Sequence, residues 1–213
     1  MNSDNSLDEF KESSLEQLPK ELQTTFYVDN PQKIFWFSMI TGGSYPALWF
    51  YRHWRHFKRR AIECKKLNIE NPIKYEKDSE ISPFWSAFFS GYYIIGTARR
   101  IRDRLKYQGS SEWSTGPWWA FWLYSFSTFP TLLYETTEDI GANIAVMFIT
   151  LIGVAISSWQ VTRLQIKANQ SILLSNEMQS ISRKKLKRWD LIFLIGGVIY
   201  TPLYIIGSIL PQL

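Results

Sequence analysis

The sequence predicts an all-α fold: a polytopic helical membrane protein with three to five membrane segments and a cytoplasmic amphipathic helix. Three observations carry that expectation. Five stretches hold no charged residue, namely 34–51, 83–98, 117–134, 140–159 and 191–210, which are 18, 16, 18, 20 and 20 residues long. All 24 Lys and Arg lie outside them. Tryptophans gather at segment ends, at Trp36, Trp49, Trp118, Trp119, Trp159 and Trp189, where an apolar ring with a polar N–H suits the headgroup region. A spanning helix needs about 20 apolar residues, which disfavours a soluble protein with aromatic core strands.

The net charge of +5 is unevenly placed. Of the 24 basic residues, 21 fall in the connections 52–81, 99–116 and 160–188. Lys and Arg resist translocation, so these connections are expected in the cytoplasm, and the acidic loop with Glu135, Glu138 and Asp139 outside. No nucleic-acid motif accompanies the basic residues, and anionic lipid accounts for their juxtamembrane positions. Cys64 is the sole cysteine, which excludes an internal disulfide and leaves the expectation of an inert thiol. The first 33 residues are polar and acidic, unlike a cleavable signal peptide.

Residues 1–32 form an acidic tail, and 1–24 are expected to be mobile or to lie on a surface. The unit 33–107 reads as a membrane hairpin with basic collars. Its first segment carries Gly42, Gly43 and Pro46 at mid-length, residues that break a helix. It is therefore either a kinked span or a dip that returns to the same side. In the basic stretch after it, Trp54, Phe57 and Ala61 are spaced for one face, as in a headgroup-lying helix or a plain extension of the first helix. Pro83 suits the first turn of the short second segment, which has Ser90-Gly91 at its centre.

A linker at 108–116 leads to 117–213, read as a three-helix bundle whose fourth segment continues as a cytoplasmic helix over 160–182. No Gly or Pro occurs between Val154 and Lys187, and Val161, Leu164, Ala168 and Ile172 make an apolar stripe. That stripe needs a cover: the basic helix, the tail, a second copy or lipid. Asp190 is placed to cap the last helix. Parity favours a cytoplasmic N-terminus, segments one and two as a hairpin-like or re-entrant pair, and segments three to five as spans, leaving the C-terminus outside.

The run from Lys33 through Thr41-Gly42-Gly43-Ser44-Tyr45 to Trp49-Phe50-Tyr51-Arg52-His53-Trp54 resembles the opening of a family of small bacterial membrane proteins of unknown function. That family favours a Lys before the apolar run, then Thr-x-Gly-x-Tyr, Trp-Phe-Tyr-x-x-Trp and a basic stretch. Its second signature resembles Ile81-Ser82-Pro83-Phe84-Trp85-Ser86-Ala87-Phe88-Phe89, with Ser86 in place of the usual Arg. A later Asn-containing stretch is similar to Leu164–Asn169. The resemblance implies a multi-pass protein of a bacterial inner membrane and supplies no activity.

Chemistry is sparse. His53 and His56, at i and i+3, lack a third metal ligand nearby and sit among cations, so a solvated, lipid-facing position is expected of them. There is no P-loop, nucleophile elbow or zincin motif. The apolar segments carry no ionisable acid or base of the kind ion pathways use. No catalytic, cofactor-binding or metal-binding residue is assigned. The sequence therefore favours a non-enzymatic membrane interaction or scaffold module. Its partners would be anionic headgroups, together with a second copy or a membrane or cytoplasmic protein, and not nucleic acid. Lipid contact is assigned to Arg52, Arg55, Lys58, Arg59, Arg60, Arg99, Arg100, Arg102, Lys184, Lys185, Lys187 and Arg188. The alternative is a small channel or transporter with 34–51 and 191–210 lining the path.

Overall fold

The computed structural model describes residues 17–69, 78–110, 118–122, 124–125, 140–175 and 187–209. For 140–143, 200–201 and 204–209 the description is of the backbone alone. Among the described residues the structure is all helical, without a strand.

The first apolar segment is two helices. Helix α1, Pro31–Ile40, starts where the Asn30 side chain accepts the Gln32 N–H and Pro31 occupies the first turn. It stops at a turn in which Gly42 and Gly43 both have positive φ, 57° and 86°. The Gly43 N–H reaches back to the Ser38 carbonyl at 2.8 Å, satisfying a helix-end acceptor in the Schellman manner. Helix α2, Tyr45–Lys66, then begins with Pro46 in its first turn and runs straight through the basic stretch. The glycines therefore mark a reversal between helices instead of a kink within a span. Ten residues make about 15 Å of helix, too short for α1 to cross a bilayer.

The second segment is also divided. Helix α3, Pro83–Phe88, ends at Phe89, and α4, Ser90–Tyr107, starts at once. Helix α4 closes at Gly109, φ 77°, with the Ser110 N–H on the Leu105 carbonyl. Helix α5, Ile140–Leu174, runs unbroken for 35 residues, about 52 Å. The portion of the expected extension at 176–182 lies outside the described residues, as does most of the third segment. Helix α6 is Arg188–Ile209, with Pro202 inside it.

Long-range contacts give these helices a direction. Lys33 meets Asp190, and Thr41 lies against Gly197. Helix α1 thus runs beside α6 in the same sense. Gly43 lies against Val154, and the Trp49 indole donates to Gln165 at 2.7 Å. Helix α2 therefore returns, in the sense of α5. The second unit repeats this course. Gly96 lies against Trp54, and Gln108 donates to the Ser171 carbonyl, so α4 rises with α2 and α5. Asp78 pairs with Arg100, so 78–89 runs the opposite way.

The core lies between α2, α4 and the polar half of α5. The stripe Val161, Leu164, Ala168 and Ile172 is fully buried there. The segment before α1 closes over it. The Gln165 amide donates to the Tyr27 carbonyl, Asn169 to that of Asp29, and Arg60 to those of Leu22 and Gln23. Leu18, Leu22 and Phe26 are buried. Residues 17–24 are thus a strap laid on the helices, with Leu18 and Leu22 buried and Gln17, Pro19, Lys20 and Glu21 exposed, which fits the surface-lying alternative for this part of the tail; residues 1–16 lie outside the described residues. The strap's apolar side chains come at spacings that bury them against α2.

One helix among the described residues is long and apolar enough to cross a membrane, Ile144–Leu174. Only 33% of its most apolar window is buried inside the protein, and Phe148, Ile149 and Ile152 face outward. A core helix of a soluble protein would be mostly buried, so this exposure favours a membrane surrounding over a water-facing one. Leu191, Ile192, Ile195, Val198 and Ile199 of α6 are likewise exposed.

The turn's fit against α6 can be tested. A Cβ on Gly197 would lie 2.7 Å from the Thr41 Cα, a backbone atom that cannot rotate away. Gly197→Ala is expected to lower stability by about 1–3 kcal/mol through overpacking. Gly196→Ala meets nothing within 4 Å and should be neutral or slightly stabilising. Thermal unfolding of both variants in mild detergent checks the difference.

Candidate functional site

The mouth of the α1–α2 hairpin holds a buried ion cluster. Asp190 stands at the third position of α6, where its Oδ2 accepts the Lys187 backbone N–H at 2.9 Å, half of a capping box. The cap expected from sequence is present, and three further donors converge on the same carboxylate. Arg52 Nη1 donates to Oδ1 at 2.5 Å, the Tyr45 hydroxyl donates to Oδ1 at 2.9 Å, and Lys33 Nζ reaches Oδ2 at 3.3 Å. Lys33 also pairs with Asp29 at 2.5 Å, and Arg52 lies 3.7 Å from the other Asp29 oxygen. Arg52 Nη1 further donates to the Tyr45 oxygen at 3.2 Å. The Lys187 ammonium stands 5.0 Å from the centre of the Tyr27 ring.

Two carboxylates and two cations balance inside this cluster, and Asp190 is 0% exposed. Buried charge is tolerated only with such pairing. Burial alone would raise the Asp190 pKa, but the Lys187 N–H, Arg52 and Lys33 outweigh it and hold the carboxyl below the usual range. So supplied, Asp190 is a fixed anion and a poor proton carrier.

A second buried pair joins Asp78 to Arg100, whose guanidinium also lies 4.5 Å from the Trp54 ring centre and 5.3 Å from that of Phe57. Here burial prevails and pushes the Asp78 carboxyl up despite Arg100.

The described residues among those assigned to lipid divide into two sets. Arg52, Arg60 and Arg100 are buried on protein partners and do not face headgroups, which corrects their assignment. The reason is helical phase. Tyr45, Trp49, Arg52, His53, His56 and Arg60 fall on one face of α2, and that face meets α5 and the strap. Arg55, Arg59, Arg99, Lys187 and Arg188 are exposed, and Lys58 and Arg102 are half-buried. Arg59 reaches Glu21 at 3.5 Å, a pair too exposed to matter much for stability. Lys184 and Lys185 lie outside the described residues.

The histidines also differ from expectation. His53 and His56 are buried, not lipid-facing. His56 Nε2 bonds the Thr24 carbonyl at 2.8 Å, and His53 packs on Trp49 with ring centres 4.0 Å apart. Among the described residues no group of three His, Cys, Asp or Glu side chains comes together to hold a metal ion. Cys64 is buried beside Leu18 and Leu22, and burial pushes its thiol pKa up.

Sequence reasoning missed the convergence of Lys33, Tyr45 and Arg52 on Asp190, with Asp29 pairing the two cations. A signal existed: Asp190 is the only acidic residue after Glu177, and it stands at the edge of an apolar segment, where a charge needs a partner.

Asp190→Asn should cost about 3–5 kcal/mol, because it leaves Arg52 buried beside a lost anion. Adding Arg52→Met should recover part of that loss, a non-additivity that a double-mutant cycle reads directly. The depressed Asp190 pKa sets the pH sign. Its stabilisation is whole above the unfolded carboxyl value, about 4, and is lost as pH falls through the lower folded value. Denaturation followed at decreasing pH should therefore show a shallower acid loss in Asp190→Asn than in the parent protein.

No protein-family model, curated protein or solved structure matches this chain.

Proposed function

We propose that this chain is a three-span inner-membrane protein whose two broken segments dip into one leaflet and return, and that it acts as a non-enzymatic interaction module gripping anionic lipid. The observation that carries this reading is the return path of both hairpins. Helices α2 and α4 both rise from uncharged sequence toward the polar half of α5. That path brings the basic connections after α2 and after α4 to one side, the side of residues 160–174, as the positive-inside rule requires. Exposed Arg55, Arg59, Arg99 and Arg188 then stand where phosphate headgroups would lie, and each is worth about 1 kcal/mol near an anionic surface.

The reading departs from a free docking stripe on α5. Val161, Leu164, Ala168 and Ile172 are covered within the chain and offer nothing to a recruited protein. A transport path between 34–51 and 191–210 is weakened by the contact of Thr41 with Gly197, where the two segments touch with no room for a methyl group.

The test is lipid-dependent stability. In detergent, added phosphatidylglycerol should raise the melting temperature of the parent protein more than phosphatidylcholine does, and salt should reduce the gain. The variant Arg55→Gln/Arg59→Gln/Arg99→Gln/Arg102→Gln should keep its melting temperature in detergent alone and lose most of the anionic increment. An increment unchanged in that variant would refute headgroup contact by this face.

A further inference from the structure

The bottom of the second hairpin carries an aromatic patch with no protein neighbour among the described residues to explain it. Phe84, Trp85, Phe88, Phe89 and Tyr92 are each more than half exposed. The rings rest on one another: Trp85 stacks on Phe89 with centres 5.9 Å apart, and Phe88 meets Phe89 edge-on at 5.0 Å. A patch of stacked rings turned outward is a binding surface or a liability.

We propose that this patch is a lipid-inserted wedge, seated at the headgroup–acyl boundary and upper acyl region of the leaflet that faces the basic connections. The inference rests on the membrane reading above and extends it to a specific element and depth. Four observations select lipid as the occupant. The patch sits at the foot of the dip, where Ser90 bonds Tyr124 at 3.0 Å, next to the uncharged third segment. No charge occurs from Ile81 to Ala98, and the next exposed residue up α4 that could meet phosphate is Arg99. Tyr92 lies seven residues below Arg99, about 10 Å of helix, which is the drop from headgroup phosphate to upper acyl chain. The rings are aromatic, with Trp and Tyr among them, as amphipathic interface residues are.

The wedge has a consequence for shape. Both hairpins occupy the same leaflet as one half of each span, so the protein is broader in that leaflet than in the other.

Site-directed spin labels test the placement. In a Cys64→Ala background, single cysteines are introduced by Phe88→Cys, Tyr92→Cys and, as a control on α5, Phe148→Cys. Each labelled protein is reconstituted into phosphatidylcholine–phosphatidylglycerol vesicles. Relaxation by lipid-soluble oxygen is compared with relaxation by a water-soluble nickel chelate. Oxygen accessibility exceeding nickel accessibility several-fold at 88, 92 and 148 is the expected result. Nickel accessibility dominating at 88 and 92 with 148 in lipid would overturn the wedge and leave the membrane reading standing. Spin–spin broadening between copies at 88, lost on dilution with unlabelled protein, would also overturn it by assigning the patch to a second copy. Nickel accessibility dominating at 148 would remove the membrane reading and the wedge together.

Discussion

Donors from three separate parts of the chain meet on one carboxylate at the start of α6. Lys33 comes from α1, Arg52 and Tyr45 from α2, and the backbone N–H of Lys187 from the residue before α6 itself. A helix hairpin dipping beside another helix has little to fix its depth, since apolar surfaces slide at small cost. A buried ion pair has a steep distance dependence. The pairing of Arg52 with Asp190 therefore helps fix the register of α2 against α6, a register in which Thr41 lies against Gly197 and Gly43 against Val154. Remove the charge and the apolar contacts remain, with hydrogen bonds such as Trp49 to Gln165 and the close fit of Thr41 on Gly197 left to hold the register.

The same principle sorts the cations. Helix α2 passes its charged half through a crowded region, so one face must be accommodated inside. Arg52 and Arg60 satisfy carboxylates and strap carbonyls, while Arg55 and Arg59 look outward. A run that reads as one basic block in sequence is two populations with different work. The inward set closes 17–30 over the core, and the buried histidines belong with it through the Thr24 carbonyl and the Trp49 ring.

Several features were open to a reader of the sequence alone. The long apolar run ending at Trp159 and its polar continuation form one helix to Leu174, and the stripe at 161–172 needed a cover, which it has. The all-helical character follows from the same patterns. The two chain reversals were harder, because Gly42-Gly43 and Ser90-Gly91 signal a break without saying whether the chain kinks or reverses. Their reversal is decided by contacts such as Lys33 to Asp190, 157 residues apart, which no local period encodes. The burial of His53, His56 and Arg60 was within reach, since all three share a helical face with Trp49. It was overlooked because charge density suggested a surface. The strap was missed for the converse reason: its apolar residues are few and are scattered among acids.

Two hairpins in one leaflet against three spans would make an asymmetric body whose charge and breadth both lie on the same side. That arrangement stands or falls with the return of the second hairpin, since a straight passage of 83–98 would put the collar beginning at Arg99 on the far side. The most direct measurement is the sidedness of residue 110 relative to residue 68, read by an impermeant thiol reagent on single cysteines introduced at Ser110 and Asn68 in sealed right-side-out vesicles. The account predicts that both are shielded until the vesicles are opened. Labelling of residue 110 from outside with residue 68 protected would contradict it.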